Sequence, residues 1–190
     1  MIRAFGILLC FGVLLCGKVH AGDTPEGYVI QKLEETDGSI LRPKDWNFES
    51  SGTPSGWTWC ISKDKPINGA YETGVRIQLL VGVAEGTGKS REQFVSETLG
   101  AKASVAHEVI RNCEPVDMGT FLRQCLEVVE ETSFRGESVK FRVLYSAMWF
   151  KEMDMVALSI FGGPPEEWAS VSEVSDKMAQ FTLIGPRFGK

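Results

Sequence analysis

The stretch Gly82-Val83-Ala84-Glu85-Gly86-Thr87-Gly88-Lys89-Ser90 comes nearest to a chemical motif in this sequence. A phosphate-binding loop needs glycines at set positions, so that backbone amides can surround an anion, with a lysine and a hydroxyl following. Counted back from Gly88-Lys89-Ser90, the first glycine should stand at position 83, where there is a valine whose side chain would obstruct the amide cradle. The stretch is therefore read as a link between a strand and a helix capped by Ser90, and nucleotide is not expected as a partner.

The other reactive residues are scattered. His107 is the single histidine outside the first 21 residues. A site with paired histidines cannot form within the chain, and three cysteines without Cys-x-x-Cys spacing do not suggest zinc. A serine or cysteine hydrolase would need His107 as its base, and no Gly-x-Ser-x-Gly elbow accompanies it. No metal and no cofactor is expected. The acidic doublets Glu34-Glu35, Glu130-Glu131 and Glu166-Glu167 have the residue type of a glycosidase pair. Adjacent acids on a strand point to opposite faces, so neither of the first two doublets makes a pair by itself. Trp57 and Trp59 share one strand face and would serve either as an aromatic binding surface or as core.

The elements that hold these residues are mostly short strands bounded by turn residues: 28–33, 39–42, 56–62 and 75–83, with Asp37-Gly38 and Lys65-Pro66 as turn signals. Residues 109–116 and 121–131 read as an antiparallel pair joined through Asp117-Met118-Gly119, and 139–150 and 155–161 follow. In the last of these, Val156, Leu158 and Ile160 lie on one side and Met155, Ala157 and Phe161 on the other. A strand apolar on both sides has to be covered on both sides. Two helices are legible. Ser90 and Gln93 form a capping-box signature, with Phe94, Thr98 and Ala101 at helical spacing. Pro164-Pro165-Glu166-Glu167 starts the second, with Trp168, Val171, Ser175 and Met178 as its inner face. A short strand at 181–184 closes the chain. The expected fold is α+β, an antiparallel sheet flanked by helices on both faces.

The N-terminus sets the compartment. Arg3 precedes an apolar run from Ala4 to Cys16, and Val19-His20-Ala21 fits a signal-peptidase cut between Ala21 and Gly22. The run is too short to span a bilayer, and no later stretch is longer. Residues 1–21 are thus read as a cleaved signal peptide, and 22–190 as one periplasmic or secreted domain with no transmembrane span. Lipidation of Cys16 is the alternative, and Leu15 in front of it argues against that. The leader carries Arg3 and Lys18 and no acid, so cleavage leaves 18 basic against 25 acidic side chains, a charge of −7. That balance disfavours nucleic acid, whose binding needs clustered Lys and Arg. Cys60, Cys113 and Cys125 remain. A hairpin loop centred on Gly119 would set Cys113 opposite Cys125, where a disulfide would contribute about 3 kcal/mol; reduced, buried thiols are the other reading.

Four stretches together resemble the PsbP-like family, which shares its fold with the Mog and DcrB proteins. Residues 38–46, running through Pro43 to Trp46, resemble its opening strand and turn, and Gly56-Trp57-Thr58-Trp59 its next strand. Residues 141–161 resemble its long late hairpin, and Glu167-Trp168 within 164–178 its closing helix. The resemblance implies an antiparallel sheet sandwiched by helices, mostly without catalysis and acting in assembly, stabilisation or partner binding. The expected function is that of a non-enzymatic extracytoplasmic protein that binds or stabilises another component of the cell envelope, a protein not identified by the sequence. A hydrolase of unusual type using carboxylates, or a ligand-binding module using Trp57 and Trp59, are the alternatives.

Overall fold

The computed structural model describes residues 24–67, 69–134, 136–179 and 181–185. The leader, the Ala21/Gly22 cleavage position and Cys16 lie outside the described residues.

The described chain is mostly antiparallel sheet. Strands β1 (Tyr28–Leu33), β2 (Gly38–Pro43) and β11 (Phe181–Thr182) form a three-stranded sheet in the order β1-β2-β11. An eight-stranded sheet takes β3 (Asn47–Thr53), β4 (Gly56–Ser62), β5 (Gly74–Val81), β10 (Met155–Gly163), β9 (Glu137–Phe150), β8 (Phe121–Phe134) and β6 (Glu108–Asn112) in that spatial order, with β7 (Val116–Asp117) also paired to β8. Between β5 and β6 come a short helix α1 (Val83–Thr87) and a longer one, α2 (Arg91–Val105); α3 (Trp168–Met178) follows β10.

Most elements fall where turn residues and apolar runs put them, and the departures have physical reasons. Asn47–Thr53 has Phe48 as its sole large apolar side chain and lies exposed at the sheet edge, ordered through its ladder with β4. Residues 109–116 split into β6 and β7, because Pro115 has no amide to give the ladder. Glu34-Glu35 belongs to a 3-10 turn rather than a strand. In α2 the buried residues are Val95 and Leu99, with Phe94 only partly buried, so the inner face is rotated from the Phe94–Thr98–Ala101 line. Ser90 accepts a hydrogen bond from the Gln93 amide at 3.1 Å, whereas the Gln93 side chain goes on to Glu97 at 2.9 Å instead of closing the box. The inner face of α3 is Trp168, Val171 and Met178 as the spacing indicates.

Two hydrophobic clusters share the central strands. One gathers Val95 and Leu99 of α2 with Leu126, Val128, Tyr145, Trp149, Val156 and Leu158. The other gathers Trp168, Val171 and Met178 of α3 and Leu33, Ile40 and Leu183 with Trp59, Ile77, Ala157 and Phe161. Along β10 the residues alternate between them: Val156 and Leu158 belong to the first cluster, Met155, Ala157 and Phe161 to the second.

Candidate functional site

The residues singled out by their chemistry do not converge. At the Gly82–Ser90 loop the amides are already occupied: Asp154 accepts from the Ala84 amide at 2.9 Å and from that of Glu85 at 3.3 Å. Val83 is buried in the first cluster, and Gly82 and Gly88, both at positive φ, turn the chain into and out of α1. The His107 ring lies at the surface, 2.9 Å from the Lys140 Nζ and 3.9 Å from Glu131. Glu130 and Glu131 part to opposite sides of β8. Glu130 takes the Tyr145 hydroxyl and an ion pair with Lys102 at 3.7 Å, and Glu131 takes Ser138 at 2.7 Å. Burial and the Glu130 carboxylate push the Tyr145 phenol far above its ordinary value. Glu167 pairs with Lys63 at 3.5 Å. Among the described residues, no three His, Cys, Asp or Glu side chains gather as metal ligands would.

The Trp57–Trp59 face is a core face and not an open aromatic surface. Trp59 is completely buried, its indole N–H donating to Glu35 at 3.3 Å, and Trp57 packs half-buried against the same cluster. Parity along β4 puts both indoles with Ile61 towards the side that the small sheet and α3 share. Burial acts against Glu35, but its hydrogen bonds to its own backbone, Trp59 and Ser50 hold the carboxyl below its ordinary range.

Cys113 and Cys125 stand directly opposite each other and are disulfide-bonded, with Cα atoms 5.1 Å apart and the Cys113 amide donating to the Cys125 carbonyl at 2.9 Å. Cys60 is a free, half-buried thiol facing Arg76 across the β4–β5 pair.

What the tertiary structure does bring together is an apolar groove of about 530 Å³. Its floor is the even-numbered side of β9, Leu144, Ser146, Met148 and Phe150, continued onto Phe161 of β10. Phe121 and Arg123 of β8 and Met118 of the disulfide-closed hairpin form one wall; Met178 of α3, Phe181 and Ile184 form the other. Among the described residues Arg123 is the one charged side chain in the lining, and its Nε donates to the Ser146 hydroxyl at 2.9 Å.

The groove exists because α3 covers this side of the sheet at one end only. There Trp168 packs on Phe161, with ring centroids 6.3 Å apart, and the Arg142 guanidinium lies over the Trp168 ring at 4.9 Å. The same guanidinium pairs with the buried Glu127 at 2.6 Å, and Arg111 reaches that carboxylate from β6 at 3.0 Å. From this anchored end α3 leads into β11, which pairs with β2, so Ser146 to Phe150 remain beside a gap. Sequence reasoning missed the groove residues. The signal for them is the Leu144-x-Ser146-x-Met148-x-Phe150 alternation, which by itself looks the same as a covered face.

No family model matches the chain, and no curated protein sequence does. Among solved structures it is similar to the Ran-binding protein Mog1p of Saccharomyces cerevisiae, with a TM-score of 0.48, 14% identity, and coverage of 83% of this chain and 95% of that one. It is similar to the cyanobacterial PsbP of Synechocystis, with a TM-score of 0.49, 13% identity, and coverage of 88% and 96%. It is also similar to LpqN of Mycobacterium tuberculosis, involved in cell envelope biogenesis, with a TM-score of 0.46, 10% identity, and coverage of 83% and 91%.

Proposed function

We propose that this chain is a non-enzymatic, exported binding protein that holds an apolar group of another cell-envelope component in the groove between β8, β9 and the end of α3. The observation that carries the reading is the lining. Leu144, Met148, Phe150, Phe121 and Ile184 supply apolar surface, and among the described residues no acid or histidine lies in the lining. A site of about 530 Å³ with mostly apolar walls and few polar groups has the character of a ligand site. General acid–base chemistry would ask for titratable groups in it. The architecture is read as helices on both faces of the large sheet, with the groove as the gap left by α3.

The compartment is inferred from two independent features. The leader pattern ending at Ala21 is that of an exported chain. The Cys113–Cys125 bond is of the kind that persists in oxidising compartments.

The test is uptake of a neutral apolar dye such as Nile red by the purified full-length protein. One saturable site is expected, lost in Met148→Trp and Leu144→Trp, each checked for native circular dichroism. Undiminished uptake in both folded variants would place binding elsewhere and overturn the reading. So would hydrolytic turnover abolished by substituting one of the glutamates.

A further inference from the structure

We infer that the groove takes a long-chain carboxylate, one alkyl chain along β9 with its anionic head at Arg123. This rests on the groove being a binding site and adds the chemistry of its occupant. Arg123 is exposed at the groove, and its Nε–H is spent on the Ser146 hydroxyl. Among the described residues neither terminal nitrogen of its guanidinium has a hydrogen-bond or ion-pair partner. The neighbouring basic residue is different: Lys151 is neutralised by Asp117 at 2.8 Å. Among the described residues Arg123 is therefore a cation without an ion-pair partner, bordering an apolar channel.

A guanidinium presents parallel N–H donors that match the two oxygens of a carboxylate. The Ser146 hydroxyl accepts from Arg123 and so keeps its own hydrogen to donate to the same head. Below the head, Met148 and Phe150 on the floor and Met118 and Phe121 on the wall offer apolar surface for an alkyl chain. Methionines in two of these positions suit a flexible chain, since thioether side chains adapt to irregular apolar partners. An anionic head gives the exposed guanidinium a bidentate partner that a wholly neutral guest does not.

The experiment is calorimetric titration of the purified full-length protein with palmitate and with hexadecanol below their aggregation limits, and with vesicles of dipalmitoyl phosphatidylglycerol. Expected are one palmitate per chain and a weaker hexadecanol interaction. Arg123→Gln is expected to weaken palmitate by roughly ten- to a hundredfold, the worth of a hydrogen bond to a charged group, and hexadecanol by much less. Arg123→Lys should restore part of the loss. Hexadecanol binding as tightly as palmitate, or an Arg123→Gln variant indistinguishable from the parent, overturns the carboxylate while leaving the apolar groove intact. Phospholipid vesicles outcompeting palmitate overturn the single-chain occupant. Failure of all amphiphiles together with failure of Nile red uptake removes the groove reading as well.

Discussion

Strand β9 meets two different environments on its two sides. Phe141, Val143, Tyr145, Ala147 and Trp149 are all buried, whereas Arg142, Leu144, Ser146, Met148 and Phe150 between them are all half-buried. Arg142 and Ser146 make the second set more polar, yet Leu144, Met148 and Phe150 are as apolar as their buried neighbours, so composition does not explain why these three stay half-buried. The helix above does. α2 closes its side with Val95 and Leu99, while α3 anchors at Trp168 and then departs towards the small sheet. A face can thus be apolar because it is core or because it awaits something, and only the position of the covering helix tells which.

The strongest way to break this comparison is at Glu127, which lies on the groove side of the sheet yet is buried between two arginines. Glu127→Ala should lose about 3–5 kcal/mol in urea unfolding, because Arg142 would be left without its partner. A negligible loss would mean that the anchored end of α3 is as slack as the open end. Next come Leu126 and Met148, on opposite sides of the sheet. Leu126→Ala should cost about 2–5 kcal/mol through the cavity it leaves, and Met148→Ala about 1 kcal/mol or less. Equal costs would show that the groove is packed like the other side.

The Cys113–Cys125 bond closes the hairpin that carries Met118 to the groove wall. Replacing both cysteines by serine should lower stability by about 3 kcal/mol in the same assay, on the loop-entropy account. Smaller effects appear with pH. Tyr145 has its phenol pKa raised by burial and Glu130, so its contribution is complete below the ordinary tyrosine value of 10.0 and fades as pH rises above it. Tyr145→Phe should flatten the alkaline limb of a melting-temperature profile. At the acid end the Lys151 ammonium and the Gly119 amide hold the Asp117 carboxyl below its ordinary 3.8. Its contribution is therefore present above that value and is lost as pH falls through the depressed one. Asp117→Asn should remove a small part of the acid limb and nothing at neutral pH beyond the loss of the Lys151 pair.

Local chemistry was legible wherever one element is enough to express it. Ser90 caps α2, Pro164 to Glu167 open α3, and the residues around Gly119 turn a hairpin that brings two cysteines face to face. The mismatch at Val83 likewise needed no tertiary structure, since a phosphate loop is a matter of spacing within nine residues. Asn47–Thr53 was not legible, because an edge strand with few apolar side chains takes its order from the neighbouring ladder. The Trp57–Trp59 face stayed ambiguous for a related reason: the indole N–H of Trp59 is satisfied by Glu35, 24 positions away.

By itself, then, the sequence determined a chain of antiparallel strands with two helices, an N-terminal stretch with the pattern of a leader, and the lack of a local catalytic motif. These follow from short-range rules of periodicity, capping and spacing. The tertiary structure alone decided which apolar face would be closed and which left open. That choice depends on where α3 is held by Arg142, Glu127 and Phe161 and where β11 draws the chain away, contacts between residues far apart in sequence. Arg123 acquires its meaning only there, as a surface arginine that happens to stand at the edge of a groove.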